Sequence, residues 1–138
     1  MVLQVPDIPT ILREAEVIAV VGLSGRPQRT SHRIARKLQQ AGYRIIPVNP
    51  NYDEVLGVPS VPSLRELDEA VDIVNVFRAS EHTAGVVRDA EVYARKNDRR
   101  PVIWTQLDVS SPKAETLAAE ADLPYIRNRC IAVELGKL

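Results

Sequence analysis

The chain has little cysteine, few aromatic residues, no long apolar run and no excess of either charge. Among its 138 residues Cys130 is the single cysteine, so no disulfide can form within the chain. That lone thiol, together with an N-terminus that shows no secretory pattern, leads us to expect a cytoplasmic protein. The longest apolar runs, such as residues 17–21, are far too short to cross a bilayer, so no membrane partner is expected.

The charge balance argues against nucleic acid as the main partner. The 18 Lys and Arg residues equal the 18 Asp and Glu residues, and aromatic residues make up 4% of the chain. General nucleic-acid binders usually carry excess positive charge or exposed aromatic side chains. The composition, 45% hydrophobic and 26% charged, is typical of a globular protein, and the length fits a single domain over residues 1–138.

Strand and helix patterns alternate along the chain. The continuous apolar run at residues 17–21 predicts a strand that is buried on both faces. Four further strands are predicted at residues 44–48, 71–77, 101–105 and 124–126. Such alternation implies parallel strands joined by right-handed crossovers. The predicted fold class is therefore α/β, with a doubly wound, mainly parallel five-stranded sheet and helices on both faces.

Serine residues predict where the helices begin, because a serine hydroxyl can accept a hydrogen bond from a first-turn N–H. The first helix is expected to end at Gly42 and the third near Lys96. Pro47 indicates an edge or irregular position for the second strand. The predicted N-caps are Ser31, Ser63, Ser80 and Ser111.

The turn between the first strand and the first helix has the features of an anion site. Gly22 permits a sharp turn and a close approach of ligand, and the helix that follows offers unpaired N–H groups and the positive end of its dipole. No Asp or Glu occurs between Gly22 and Tyr52. We predict a phosphate site for a nucleotide-type ligand, the simpler alternative being a plain turn with a serine cap. The polar side chains expected to contribute are Ser24, Arg26, Arg29, Thr30 and Ser31.

Several phosphate ligands are disfavoured by what the turn lacks. It has neither the Lys-Ser/Thr ending of a Walker A sequence nor the G-x-G-x-x-G fingerprint of dinucleotide sites. NAD sites usually place an acidic residue at the end of the second strand to hold the ribose hydroxyls. Here no acid follows that strand until Asp53, which argues against NAD. NADP stays open, since arginine residues are abundant nearby.

The chain resembles the stand-alone CoA-binding domain proteins, a small Rossmann-like group related to the CoA-binding domain of succinyl-CoA synthetase α subunits. Five stretches carry the resemblance in the family's order and extend over nearly the whole chain. They are IAVVGLS (18–24), GYRIIPVNP (42–50), VDIVNVFR (71–78), WTQ (104–106) and NRC (128–130). Two positions depart from the family pattern, since Asp108 stands where glycine is usual and Asn128 where Asp is frequent.

The resemblance implies that the ligand is coenzyme A or an acyl-CoA. It places the pyrophosphate at the turn of residues 22–31, which adds Leu23 to the contacts, and the adenosine end near Asn49 and Pro50. Further contacts are implied at Val76, Phe77 and Arg78. The acid at Asp108 would oppose a phosphate, so the role of Gln106 in binding is left open.

No catalytic constellation stands out in the sequence. There are no paired carboxylates, no metal-ligand spacing and no Ser-His-Asp arrangement. His32 is expected to contact the ligand or solvent, and His82 to be an exposed helix residue. Cys130 is expected to be a small buried residue, with a mixed disulfide to the CoA thiol as the lesser alternative. We therefore expect a binding module rather than an enzyme, with no catalytic residue and no metal.

Three functions stay open at this point. The leading one is a non-catalytic binder of coenzyme A or acyl-CoA. The second is an NADP-linked oxidoreductase domain without its substrate domain, and the third is a CoA-binding subunit of a multi-chain acyl-CoA ligase. The sequence identifies no protein partner and no oligomeric state.

Overall fold

The computed structural model describes residues 7–138, in which five parallel strands form one sheet. The strands of the chain are β1 (Val17–Val21), β2 (Arg44–Val48), β3 (Glu54–Val55), β4 (Val58–Pro59), β5 (Ile73–Val76), β6 (Val102–Thr105) and β7 (Tyr125–Ile126). The sheet has the order β2-β1-β5-β6-β7, while β3 and β4 form a separate antiparallel hairpin. The predicted α/β class and the five-stranded, doubly wound, Rossmann-like sheet are confirmed.

The strand order reverses at β1. From β1 the chain passes to β2 on one side, and it then crosses back to β5 on the other. Val21, the last residue of β1, is therefore paired with Val48 and with Val76. Because ligands of doubly wound sheets bind beyond the strand ends at such a reversal, the carboxyl ends of β1 and β5 mark the site to examine.

Helices cover both faces of the sheet, as predicted. They are α1 (Ile8–Glu14), α2 (Thr30–Gln40), α3 (Ser80–Asn97), α4 (Pro112–Glu120) and α5 (Ile131–Gly136), with a 3-10 turn at Leu64–Glu66. One core contains Leu12, Leu38 and Ile131 from α1, α2 and α5, and the other contains Ala90 and Ala118 from α3 and α4. None of the helices described is both long and apolar enough to cross a bilayer.

Two of the four predicted serine caps are wrong. Ser111 and Ser63 do accept first-turn N–H groups, from Ala114 at the start of α4 and from Arg65 in the 3-10 turn. Ser80 instead opens α3 as its first residue, with Ala79 at the N-cap and no side-chain cap.

Ser31 does not cap α2, and the bond that its hydroxyl makes instead affects the turn between β1 and α2. Helix α2 begins one residue earlier, at Thr30, and its N-cap Arg29 makes no side-chain capping bond. The Ser31 hydroxyl accepts the Ser24 N–H at 3.0 Å, so it is engaged by the turn rather than by its own helix. The first-turn N–H groups of α2 are therefore left without a side-chain acceptor.

The prediction of an edge position for the strand with Pro47 is confirmed, since β2 lies at one end of the sheet. The loop that follows the hairpin covers this edge: the Val61 N–H donates to the Pro47 carbonyl at 3.0 Å, and the Asn49 N–H donates to the Val61 carbonyl at 2.9 Å. The hairpin, α1 and α5 were not predicted. Strand β5 is shorter than predicted at both ends, and the N–H of Val71 is taken by the hydroxyl of Tyr93.

Helix α2 ends in a Schellman motif, as the position of Gly42 indicated. Gly42 has a φ of +105°, and its N–H donates to the Gln39 carbonyl at 3.1 Å. The Tyr43 N–H donates to the Leu38 carbonyl at 3.2 Å, which completes the pair of bonds. Glycine is needed here because a side chain in this conformation would be strained.

Gly42 and Gly85 provide a test of these backbone assignments. Gly85 lies exposed within α3, and a Cβ there would meet nothing within 4 Å. We expect Gly85→Ala to raise the free energy of unfolding by about 0.5–1 kcal/mol, because alanine loses less conformational freedom on folding. The same change at Gly42 should lower it, because of the positive φ. Urea unfolding measures both, and equal signs for the two variants would contradict the assignments.

Buried tyrosines predict the alkaline limit of stability. Burial raises the pKa of Tyr93 above its usual value of about 10, and burial likewise raises the pKa values of Tyr43 and Tyr125. A phenol whose pKa is higher in the folded state stabilises the fold fully below the unfolded pKa, and this contribution is lost as the pH rises through the folded pKa. The free energy of unfolding should therefore fall steeply above a pH of about 10. In denaturant titrations across this range Tyr93→Phe should show a shallower fall, and an unchanged slope would contradict the role of Tyr93.

Candidate functional site

A cavity of about 660 Å³ lies at the carboxyl ends of β1, β2, β5 and β6. This volume is in the range of small-molecule sites, and the position is the one that the strand reversal indicates. The turn between β1 and α2 forms one wall, with side chains or backbone of Gly22, Ser24, Arg26, Arg29, Thr30 and Ser31. Asn49, Phe77 and Arg78 line it from the ends of the neighbouring strands.

Three of the predicted site residues do not line the cavity. The side chains of Leu23 and Val76 are fully buried in the two cores on opposite faces of the sheet, and Pro50 is exposed outside the lining. Both residues are chain neighbours of lining residues, Leu23 of Gly22 and Ser24, and Val76 of Phe77. As ligand contacts, all of the predicted residues stay predictions.

Gly22 sets the shape of the cleft. It has a φ of +86°, and a Cβ at this position would collide with the carbonyl oxygen of Phe77 and lie 3.1 Å from Cδ of Arg78. The Gly22 N–H donates to the Val48 carbonyl at 2.9 Å, and the Phe77 N–H donates to the Val21 carbonyl at 2.8 Å. The ends of β1, β2 and β5 therefore meet at Gly22. A side chain at this position would push the ends of β1 and β5 apart.

Hydrogen bonds within the chain hold the turn beyond Gly22. The Arg26 N–H donates to the Ser24 hydroxyl at 3.1 Å, and Nδ1 of His32 lies 2.9 Å from the Ser24 carbonyl. Because a carbonyl only accepts, the Nδ1 of His32 carries the proton. His32 is buried and does not line the cavity, so the expectation of a solvated residue is wrong, while its contact with a ligand stays a prediction. Its ring stabilises the turn through this hydrogen bond.

Asn49 connects the end of β2 to the same turn. Its Nδ2 donates to the Leu23 carbonyl at 3.1 Å, and its Oδ1 accepts the Asn51 N–H at 2.9 Å. Both ends of the amide are thus engaged within the protein. Asn49 lines the cavity, and its hydrogen bonds hold the two loops that border it.

Tyr52 is a lining residue that the sequence did not single out as a site residue. Its ring lies against Gly25, where a Cβ would be 2.5 Å from the ring carbon Cε1. Its hydroxyl lies 3.5 Å from the Ser24 hydroxyl. That hydroxyl and the N–H of Gly25 lower the pKa of Tyr52, and the nearby arginines Arg26 and Arg29 add to the effect. The sequence feature that could have identified Tyr52 is its position in the loop after β2, since such loops border the site in doubly wound sheets.

Three guanidinium groups at the cavity have no carboxylate partner among the described residues. Arg26, Arg29 and Arg78 are all exposed and make no ion pair within residues 7–138. Six other arginines do have a carboxylate partner, for example Arg65 with Asp89 at 2.6 Å. The uncompensated positive charge at the uncapped end of α2 favours an anionic ligand.

Asp108 lies outside the cavity lining, although the sequence raised an acid there as an obstacle to phosphate. It has a φ of +61°, and its N–H donates to Oδ1 of Asn128 at 2.8 Å. A positive φ is the conformation that suits the family's usual glycine, and Asp tolerates it better than most residues. The two departures from the family pattern thus contact each other.

The W-x-Q motif positions the opposite end of the cavity. Trp104 is fully buried, and its Nε1–H donates to the Arg129 carbonyl at 2.8 Å. Gln106 lines the cavity and is 6% exposed, and its Oε1 accepts both Nδ2 of Asn75 and the Ile131 N–H, each at 3.0 Å. Cys130 lies between Arg129 and Ile131, whose backbone groups accept and donate these bonds, and it also lines the cavity.

The described residues hold no evident metal site. No group of three or more His, Cys, Asp or Glu side chains within residues 7–138 is arranged to hold a metal ion. The chemistry that the cleft offers is cationic and hydrogen-bonding, together with one thiol.

The chain is similar to known proteins in both sequence and structure. The sequence profile of the CoA binding domain matches residues 16–136. The uncharacterized protein YneT of Bacillus subtilis is 46% identical over 127 residues, which is 92% of this chain and 90% of YneT. The structure of a hypothetical protein from Pyrococcus horikoshii OT3 has a TM-score of 0.87 at 33% identity, over 95% of this chain and 89% of that one.

A partial match extends to a larger enzyme. An ADP-forming acetate–CoA ligase of Archaeoglobus fulgidus is 34% identical over 58 residues. That segment is 42% of this chain but 8% of the ligase, so the likeness concerns a small part of the enzyme.

The close approach at Gly22 can be tested against a glycine that has the same strain and no neighbour. Gly57 has a φ of +77° and nothing within 4 Å of a Cβ, whereas Gly22 faces the Phe77 carbonyl. The positive φ alone should cost each alanine variant about 1–3 kcal/mol. Gly22→Ala should cost more than Gly57→Ala in urea unfolding, because the strand ends must also separate. Equal losses would show that the strand ends do not depend on Gly22.

Proposed function

The chain belongs to the CoA-binding domain family, and we propose that it binds coenzyme A or an acyl-CoA in the cavity at the strand ends. The observation that carries this proposal is the set of three exposed arginines at the cavity, Arg26, Arg29 and Arg78, which have no carboxylate partner within residues 7–138. Coenzyme A has a pyrophosphate and a ribose 3′-phosphate, so it requires more positive charge than NAD does. The site has that charge and lacks the acid that usually holds the NAD ribose.

The pyrophosphate fits at the turn of residues 22–31. The first-turn N–H groups of α2 have no side-chain cap, because the hydroxyl of Ser31 is turned toward Ser24. Unpaired N–H groups at a helix N-terminus, beside Arg29 and Arg26, form a typical phosphate site. Gly22 permits the ligand to lie close to the backbone.

The two ends of the ligand then extend in opposite directions. The adenosine is assigned to the loop after β2, where Asn49 and Tyr52 line the cavity. The pantetheine arm is assigned to the side of Phe77, Gln106 and Cys130, beyond the ends of β5 and β6. The half-buried ring of Phe77 offers apolar contact to this arm.

We propose a binding role without catalysis. The described residues at the cleft offer no paired carboxylates and no nucleophile held by a base, which a group-transfer reaction would need. The single cysteine also supports a cytoplasmic setting. The partial likeness to the acetate–CoA ligase favours a second candidate, a subunit that lends its CoA site to a separate catalytic chain. Recovery of a stoichiometric partner by pull-down from native lysate supports the second candidate, and its absence supports the first.

The choice of ligand is tested by calorimetry with CoA, acetyl-CoA, NAD, NADP and ATP. Saturable heat with CoA or acetyl-CoA, and none with the dinucleotides, is the expected result. Binding of NADP with a shift in NADPH fluorescence, and no heat with either CoA species, would establish the dinucleotide alternative instead. Mass spectrometry of the ligand that copurifies with the protein gives an independent answer.

The role of Arg29 is tested with Arg36 as the matched control. Both arginines are exposed, Arg29 at the N-cap of α2 and Arg36 about two turns further along the helix, but only Arg29 lines the cavity. Arg29→Ala should weaken CoA binding by a factor of roughly 5–30 at low salt, because a hydrogen bond to a charged group is lost. The loss should shrink at high salt, since screening weakens exposed charges.

Arg36→Ala should bind CoA like the unmodified protein under both conditions. An unchanged affinity of Arg29→Ala at low salt would remove Arg29 from the site. Equal losses in the two variants would indicate general electrostatic attraction rather than a contact.

A further inference from the structure

We propose that Cys130 captures coenzyme A covalently, by thiol–disulfide exchange with a CoA disulfide bound in the cavity. This inference rests on the proposed function, since the CoA part of the disulfide must first occupy the phosphate site. It assigns a modification site at the end of the cavity away from Tyr52. The bound product is a mixed disulfide between Sγ of Cys130 and the sulfur of CoA.

Cys130 is held in place beside the cavity. It is a free, partly exposed thiol that lines the same cavity as Arg29. The residues on either side of it are anchored: the Arg129 N–H donates to the Thr105 carbonyl at 3.2 Å, and the Ile131 N–H donates to Oε1 of Gln106 at 3.0 Å. The thiol is therefore positioned at the end of β6 by the backbone on both sides.

Gln106 indicates independently that a ligand reaches this end. It is 6% exposed, and its Oε1 faces two donors, Nδ2 of Asn75 and the N–H of Ile131. Those donors fix the amide orientation, so Nε2 is the group left for the cavity. Nε2 makes no hydrogen bond within residues 7–138 and is not sealed inside the protein, so a ligand acceptor in the cavity can reach it. The pantetheine arm contains amide carbonyl groups, which could accept a hydrogen bond from Nε2 of Gln106.

The reach from the phosphate site is short compared with the arm. Strands β1 and β6 are separated only by β5, so their carboxyl ends are about 10 Å apart. An extended pantetheine arm is longer than this, because it contains two amide units beyond the pyrophosphate. With the pyrophosphate at Arg29, the sulfur can therefore come to Cys130.

The exchange needs no oxidant beyond the disulfide itself. The thiolate of Cys130 attacks one sulfur of CoA–S–S–CoA, the bond between the two sulfurs breaks, and a bond forms between Sγ and the attacked sulfur. The second CoA leaves as a thiolate and takes up the proton that Cys130 released. The number of disulfide bonds is unchanged. An acyl-CoA has no disulfide bond, so it cannot form this adduct.

The experiment compares two disulfides on the intact protein by mass spectrometry. With CoA disulfide the protein should gain the mass of one CoA less two hydrogen atoms, and dithiothreitol should reverse the gain. The reaction should be faster than that with hydroxyethyl disulfide by about tenfold or more, because the site holds the CoA sulfur beside the thiol. An excess of acetyl-CoA should slow the reaction of CoA disulfide.

Three variants identify the source of the rate. Arg29→Ala should slow the reaction with CoA disulfide and leave the reaction with hydroxyethyl disulfide unchanged, whereas Arg36→Ala should behave like the unmodified protein with both. Cys130→Ser, verified as folded by circular dichroism, should form no adduct.

Failure of this inference is distinguishable from failure of the proposed function. Calorimetry with CoA under reducing conditions is run beside the mass spectrometry. Reversible CoA binding with no adduct, or with equal rates for the two disulfides, would overturn the capture by Cys130 and leave CoA binding intact. No heat with any CoA species would overturn the proposed function and this inference with it.

Discussion

The structure depends on the close approach of two strand ends at Gly22. The carbonyl of Phe77 occupies the space that a Cβ of residue 22 would need, and the backbone of Gly22 bonds to the end of β2 on its other side. This contact lets the chain leave β1 sharply and enter α2 over the crevice where the strand order reverses. The position of the helix N-terminus, and hence of the positive field around it, follows from that one close contact.

The polar residues around the turn divide between those that hold it and those left for a ligand. Ser31, His32 and Asn49 direct their side-chain hydrogen bonds to the backbone of Ser24, Leu23 and Asn51. Arg26, Arg29 and Arg78 have no such partner within the described residues. The hydrogen bonds fix the backbone of the turn, and the arginine side chains supply the positive charge that would neutralise an anionic ligand. Rigidity at the turn reduces the ordering cost of binding.

The end of the cavity at Gln106 and Cys130 also combines residues that hold the backbone with groups that are left for a ligand. Trp104 and Gln106, both in β6 or just beyond it, hold the loop that carries Cys130 by bonding to its backbone. The thiol and the free amide nitrogen of Gln106 are what this end offers to a ligand. A long ligand with phosphates at one end and sulfur at the other matches the two ends in character, and none of the other ligands weighed from the sequence has both.

The sequence by itself determined the α/β class, the parallel strands, the acid-free turn and most of the residues that line the cleft, because these depend on local periodicity and on which residues follow each strand. It did not determine what the side chains bond to. Ser31 had a cap's local pattern, yet its hydroxyl bonds to Ser24, and His32 and Asn49 are likewise turned into the protein. Tyr52, which no sequence pattern marked as a site residue, lines the cleft because the loop after β2 packs against the turn that contains Gly25. Hydrogen-bond partners and pocket walls arise from contacts between residues far apart in the chain, and such contacts are decided only when the tertiary structure forms.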